Sequence, residues 1–482
     1  MPRSLLEDFY NQFLEALDEG NAALFIGAGL SQPSGFVNWK ALLKDIADEL
    51  GLNVDKEIDL IAVAQYHVND RMGRPRLNKL LIEEFTKDAE ISENHRLIAS
   101  LPLHTVWTTN YDTLIEQAFR EAQKRADVKI SQADLEITLP RRDVIIYKMH
   151  GDISRPYDAV LTKEDYETYN MNRELFSMKL QGDLVGTPFL FLGFSFTDPN
   201  IDYILSRIRA MIGPKSQREH FCVIKLPQKP RGRGKKIAEY EYEKRKLLLR
   251  IGDLKRYGIR TIQINDYSEV TDILTELNRR SHRRNIFISG SAHGYEPMGR
   301  DRIEKLSRDL GQEIIKRGYN LVSGFGLNIG SMVILGALET VYRDEKTDLG
   351  DRIILRPFPQ QIPNGINKEA FYAKYRKDML SNSGFSVFIC GNKLDPVTGE
   401  TVISDGVLEE FEISKSLRKY PIPVGATGSA AHQIWEEVVN SLKLFYPGGG
   451  VNNYFNILGN PNKTNDEIIE AIFAIINKVA KN

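Results

Sequence analysis

Short apolar runs alternate with amphipathic segments along the whole chain, and each run stops at a cluster of small or polar residues. Ala23–Ile26 is the length and composition of a buried strand, and it empties into Gly27-Ala28-Gly29, Ser31 and Gly35. Thr105–Thr108 delivers Thr109-Asn110-Tyr111-Asp112, Val144–Met149 ends at His150-Gly151-Asp152, and Pro188–Leu192 ends at Gly193-Phe194-Ser195. Between the first two runs, helical spacing over Trp39–Leu50, Ile58–Val68, Leu77–Thr86 and Glu93–Ser100 predicts a helix-rich insertion able to cover a ligand. Two further strands, Phe221–Ile224 and Arg260–Ile264, flank the charged stretch Lys229–Arg256, whose interleaved signs read as a solvated helix face.

The apolar pattern breaks at Leu277–Arg284 and then starts afresh. Asn285–Ser289 enters Gly290-Ser291-Ala292, the segment Asp301–Arg317 is an amphipathic helix, and Asn320–Ser323 meets a second glycine loop, Gly324–Gly330. Strands at Ile353–Leu355 and Phe385–Ile389 follow, the latter ending at Gly391-Asn392-Lys393. Ser404-Asp405-Gly406 is placed to cap an acidic helix, and after a strand at Ile422–Gly425 two helices close the chain. Strands alternating with helices predict an α/β protein of two doubly wound, Rossmann-like domains, residues 1–280 and 284–482, with no sequence repeat between them. In such sheets ligands lie at the carboxyl ends of the strands, where the polar clusters converge.

Composition narrows the partners. Lys+Arg 64 against Asp+Glu 65 leaves a formal net charge of −1 over 482 residues, so neither a nucleic-acid partner nor a membrane surface is expected. The two cysteines, Cys222 and Cys390, sit inside apolar runs and read as buried strand residues rather than a disulfide or a metal set. No apolar run reaches the roughly 18 residues of a membrane span and no signal peptide is apparent, so a cytoplasmic location is expected.

GAGLS, TTNYD, KMHGD and GFS, in that order, make the first half resemble a divergent sirtuin domain. The resemblance implies that Gly27, Ala28, Gly29 and Ser31 line the NAD diphosphate and that Asn110 and Asp112 hold the nicotinamide ribose region. It makes His150 the general base and brings Gly193 and Ser195 to the adenosine side. Asp112 has the alternative role of a helix N-cap. The four cysteines that hold the zinc module of sirtuin deacylases are missing, and Phe36-Val37-Asn38-Trp39 stands where those enzymes carry Asp-Phe-Arg. Neither zinc nor any cofactor beyond NAD+ as substrate is expected, and water is the expected acceptor.

The second half, through ISGSA, SGFGLNIG and SDGVLEEFE, resembles the SLOG group of nucleotide-binding domains. A phosphoribohydrolase would carry PGGxGTxxE where this chain has Ser404–Glu410, so binding without turnover is expected there. Ser289, Gly290, Gly324 and Gly326 belong to its loops, and Arg376 and Lys393 are placed either to grip a nucleotide's phosphates or ribose or to serve as solvated surface residues.

Together the two halves resemble the NAD-consuming effectors of the Thoeris anti-phage system. The resemblance implies an NAD+ hydrolase releasing nicotinamide and ADP-ribose, switched on by a cyclic ADP-ribose isomer that a TIR-domain partner makes, and working as a homotetramer. The insertion Trp39–Ser100 is a candidate gate. Two other classes fit the same residues: a protein deacylase or ADP-ribosyltransferase, and a nucleotide sensor without enzymatic activity.

Overall fold

The computed structural model describes residues 3–213, 218–230, 235–343, 352–357, 365 and 367–480. Within them the chain divides into two compact units, Met1–Asn278 and Arg279–Asn482.

Seven strands form the sheet of the first unit: β1 (Ala23–Ile26), β2 (Thr105–Thr108), β3 (Ala126–Lys129), β4 (Val144–Lys148), β5 (Phe189–Leu192), β6 (His220–Lys225) and β7 (Ile259–Ile264). Their order is β3-β4-β2-β1-β5-β6-β7, and every pairing is parallel. The side-chain alternation of a strand explains why nearly every residue here is apolar. Leu24 and Ile26 of β1, with Leu190 and Leu192 of β5, enter one core. Ala23, Phe25, Phe189 and Phe191 enter another on the opposite face, so both faces are covered. The chain runs outward from β1 to one side and returns to β5 on the other. The reversal places a crevice beside β1, at the carboxyl edge of the sheet.

The insertion after β1 forms helices at Trp39–Leu42, Lys44–Glu49, Leu60–Asp70, Pro75–Phe85 and Glu93–Ser100. It carries a small core of its own around Leu43, Ile46, Val63 and Leu77. The helix expected over Trp39–Leu50 is broken at Leu43, where the backbone leaves helical geometry. The charged stretch Lys229–Arg256 contains the helix Lys235–Leu254, most of whose polar residues face solvent; its residues 231–234 lie outside the described residues.

The second unit has a five-stranded parallel sheet of β8 (Asn285–Ser291), β9 (Asn320–Ser323), β10 (Ile353–Leu355), β11 (Phe385–Cys390) and β14 (Tyr420–Pro423). Its order is β10-β9-β8-β11-β14. The segment expected only as a strand-end cluster, Gly391-Asn392-Lys393, instead begins an antiparallel hairpin of β12 (Asn392–Leu394) and β13 (Thr401–Ile403). Four helices follow β14 rather than two, because Ser441 and the segment Tyr446–Val451, with Pro447 and three glycines, interrupt the apolar pattern. Ser404 stands at the N-cap of the helix Asp405–Ser416, but its side chain makes no capping bond.

Among the described residues no helix is long and apolar enough to cross a membrane, and no group of three His, Cys, Asp or Glu side chains is arranged to hold a metal ion. Cys222 and Cys390 are both buried, and burial pushes each thiol up to about 12.

Candidate active site

The glycine loop after β1 departs from the expected strand-to-helix turn. It forms two short 3₁₀ turns, Ala28–Leu30 and Gln32–Ser34, and the next α-helix starts only at Trp39. Pro33 followed by left-handed Gly35 (φ 99°) prevents an immediate helix, so no helix N-terminus follows the loop directly. Its glycines serve close approach of two backbones. A Cβ on Gly27 would stand 2.5 Å from the Gly193 carbonyl oxygen, and one on Gly193 (φ 64°) would stand 2.4 Å from the Leu30 nitrogen. The loops after β1 and β5 thus lie back to back and form a continuous floor.

Asn110 is tied to this floor. Its backbone N–H donates to Thr108 Oγ1 (3.0 Å), and its side-chain Nδ2 donates to Ser31 Oγ (3.1 Å) and the Gly27 carbonyl (3.3 Å). With both side-chain contacts on the amide nitrogen, Oδ1 is left buried without a hydrogen-bond partner among the described residues. A buried acceptor in that condition is costly unless something fills the site.

Asp112 stands one residue before the N-cap Thr113 rather than at the cap itself: its Oδ1 accepts from the Leu114 N–H (3.1 Å), the first residue of the helix Leu114–Glu121. Beneath it lies Lys148, fully buried at the end of β4. The ammonium donates to the carbonyl of Asp112 (2.5 Å), to Glu116 Oε1 (2.9 Å) and to Asp152. Burial disfavours its charge, but the two carboxylates outweigh that and hold its pKa above the ordinary value. Lys148 thereby locks the loop after β2 to the loop after β4. Lys148→Met is expected to destabilise the protein by about 3–5 kcal/mol by leaving two buried carboxylates unpaired. Denaturant unfolding measures this, and an unchanged midpoint would contradict it.

His150 is buried, with Nε2 3.1 Å from Asp198 Oδ2 at an angle outside that of a hydrogen bond, and Tyr166 packs edge-on against its ring. Asp198 is buried too, which by itself raises its pKa. The His150 imidazole, with the N–H groups of Ile201 and Asn200, reverses this and holds the carboxyl below its ordinary value. An anion therefore stands behind the histidine at neutral pH. Asp198 also stands at the N-cap of the helix Pro199–Ile212 and Lys148 closes β4; the sequence pattern assigns neither a part in the site.

These elements surround one cavity of about 1060 Å³. Ala28, Gly29, Ser31, Asn110, Asp112, His150, Gly193 and Ser195 all line it, together with Trp39 and Ile58–Ile61 of the insertion. Gly27 lies behind its wall, packed on Gly193. From β4 to β6 the cavity spans four strand spacings, about 19 Å.

In the second unit, Ser289 donates to Glu410 (2.6 Å), and Arg376 pairs with Glu409 and lies 3.9 Å from Glu410. Burial raises the Glu410 carboxyl to about 7, against the pull of Ser289 and Arg376. Gly290 and Gly326 are in backbone contact, since a Cβ on Gly326 would stand 1.9 Å from the Gly290 carbonyl oxygen. Gly324 instead packs on Met379, and its loop does lead into a helix, Ile329–Arg343. Lys393 is exposed and paired with Asp405 (2.7 Å), apart from the Arg376 pairs. Glu409 and Glu410 were legible only as a departure from a hydrolase motif; their contact with Arg376 was not.

Residues 104–250 match the SIR2-like domain family, and residues 269–479 match STALD, the Sir2- and TIR-associating SLOG family. The chain is 43% identical over 475 residues to an NAD(+) hydrolase ThsA of Bacillus cereus (strain MSX-D12), covering 98% of each chain. It is 43% identical over 479 residues to one of Cytobacillus dafuensis, covering 98% of this chain and 96% of that one. A relative of the same name in Enterococcus faecium is 40% identical over 481 residues, with 97% and 98% covered.

Proposed function

Since the chain belongs to the ThsA family of NAD(+) hydrolases, we propose that it cleaves NAD+ to nicotinamide and ADP-ribose in the cavity of its first unit. The observation that carries this reading is the unpartnered Oδ1 of buried Asn110, a residue that lines the same cavity as His150. The diphosphate lies over the glycine floor at the topological reversal, beside the backbone N–H of Ala28; those of Gly29, Leu30 and Ser31 donate within the floor itself, to the carbonyls of Gly193, Gly27 and Ala28. The nicotinamide riboside then extends toward β2 and β4, and the adenosine toward β5 and β6.

Breaking the glycosidic bond needs no acid, because the pyridinium leaves as a neutral base. The demand is to stabilise an oxocarbenium-like ribosyl cation and present a nucleophile to it. Asn110 Oδ1 accepts a hydrogen bond from a ribose hydroxyl or from the attacking water. His150 takes the proton released as water adds, and the carboxylate of Asp198 stabilises the imidazolium so formed. Asp112 contributes by fixing the helix start beside Asn110 rather than by touching the reacting atoms. No zinc or other cofactor takes part in this scheme.

The second unit is the sensor. A cyclic ADP-ribose isomer, made by a TIR-domain partner, binds among the loops of Ser289, Gly290, Gly324 and Gly326. Arg376 and Lys393 exchange their carboxylate partners for its phosphates. The match to a Sir2- and TIR-associating SLOG family supports this assignment. The signal acts on a homotetramer and favours the active arrangement only to the extent that it binds that arrangement more tightly. The biological outcome is depletion of cytoplasmic NAD+ during phage infection.

Incubating the purified chain and activator with NAD+ and no protein acceptor tests the reaction. Nicotinamide and ADP-ribose should appear in equal amounts. Nicotinamide release that required a peptide would instead show a deacylase or ADP-ribosyltransferase.

A further inference from the structure

The end of the cavity farthest from His150 is lined by two cations, Lys225 and Arg250. Lys225 closes β6, two strands beyond β1, and its ammonium sits 4.5 Å from the centre of the Tyr267 ring, which also lines the cavity. Among the described residues its carboxylate partner is Asp266, 3.4 Å away, largely exposed and not part of the lining. An exposed pair of that kind is weak and readily exchanged for a better anion. Arg250 comes from the helix Lys235–Leu254, is half-buried, and has no carboxylate or hydrogen-bond partner among the described residues. Burial pulls its pKa below the ordinary arginine value. A separate pocket of about 290 Å³ is lined by Lys229 and Lys244.

This concentration of positive charge is unexplained by NAD+ itself. On the proposed reading, on which this inference rests, the diphosphate lies at the loops after β1 and β5. What reaches Lys225 and Arg250 is the adenosine, whose base and ribose carry no charge. A half-buried guanidinium beside a neutral nucleoside has no counter-charge, whereas a phosphate on the ribose would supply one. Arginine beside an adenosine ribose is a general means of accepting a 2′-phosphate in dinucleotide sites.

We infer that Lys225 and Arg250 form a phosphomonoester subsite at the adenosine ribose, so that the protein also binds and cleaves dinucleotides bearing a 2′-phosphate there, as in NADP+. The reaction is balanced as for NAD+. The bond from ribose C1 to the pyridinium nitrogen breaks with its electron pair leaving on nicotinamide, and a water oxygen bonds to C1. The water proton passes through His150 to solvent, and the products are nicotinamide and ADP-ribose 2′-phosphate.

Calorimetric binding of AMP, ADP and 2′,5′-ADP to the full chain tests the subsite without requiring turnover. The expected result is that 2′,5′-ADP binds at least about tenfold more tightly than AMP, in line with charge-assisted hydrogen bonds. Arg250→Gln, and independently Lys225→Met, should remove most of that gain while weakening ADP much less. Equal binding of 2′,5′-ADP and AMP would overturn the inference. So would a variant that weakens ADP and 2′,5′-ADP equally, because the cations would then serve the diphosphate. Retained AMP binding shows that each variant is folded. Hydrolysis of NAD+ and NADP+ in parallel separates the two readings: NAD+ cleavage without a 2′-phosphate preference defeats only the subsite, and the preference without any cleavage defeats only the hydrolase.

Discussion

His150→Ala is expected to lower NAD+ turnover by about 10²–10⁴-fold, the range general-base catalysis contributes. The imidazole is the titratable group that lines the cavity with a buried carboxylate 3.1 Å behind it. Removing it takes away both the proton acceptor and the partner that holds Asp198 ionised. Asn110→Ala should cost a comparable factor, because it removes the acceptor for the ribose or water and also unties Ser31 and Gly27 from the loop after β2. The double variant should lose little more than either single one, since the two groups act on one transition state. Nicotinamide release measured by chromatography reports all three, with thermal unfolding as the control for folding. Turnover within about threefold of the parent in the folded His150 variant would contradict the assigned role.

Arg376→Ala is expected to raise the activator concentration needed for half-maximal NAD+ hydrolysis by about 10–100-fold, the effect of losing charge-assisted hydrogen bonds to a phosphate. In the resting protein Arg376 pairs with Glu409 and lies near buried Glu410, whose carboxyl titrates at about 7. A bound phosphate would compete with those carboxylates for the guanidinium. Since Arg376 belongs to the second unit, NAD+ affinity without activator serves as the control that the first unit is intact. Equal loss of activation and of unstimulated NAD+ affinity would contradict a separate sensing site.

Most strands of the two sheets were legible as short, nearly continuous apolar runs, and those of β1, β2, β9 and β10 were bounded to the residue, β10 although its residues are half-buried or exposed. Strand β3 was not, because Ala126–Lys129 carries Asp127 and Lys129, whose burial depends on an ion pair between them. The hairpin of β12 and β13 was missed for a different reason: its strands are only three residues each, mix polar with apolar side chains, and are defined by pairing across the loop rather than by burial.

The loops that line the cavity could be read from strand ends, but the reasons for their residues could not. Gly27 and Gly193 look like openings for a phosphate, yet each first satisfies the approach of the other's backbone. Lys148 within VIIYK and Asp198 before Pro199 carry no local sign of their tertiary partners, which lie 32 and 36 positions from Lys148, at Glu116 and Asp112, and 48 positions from Asp198, at His150. Long-range polar contacts of this kind have no periodicity and so leave no trace in the pattern.

The most direct test of the account is NAD+ turnover by the purified full-length chain, measured alone and against a panel of cyclic ADP-ribose isomers. Little hydrolysis is expected of the chain alone, and rapid release of nicotinamide and ADP-ribose with one isomer. NAD+ that persists with every isomer would contradict it.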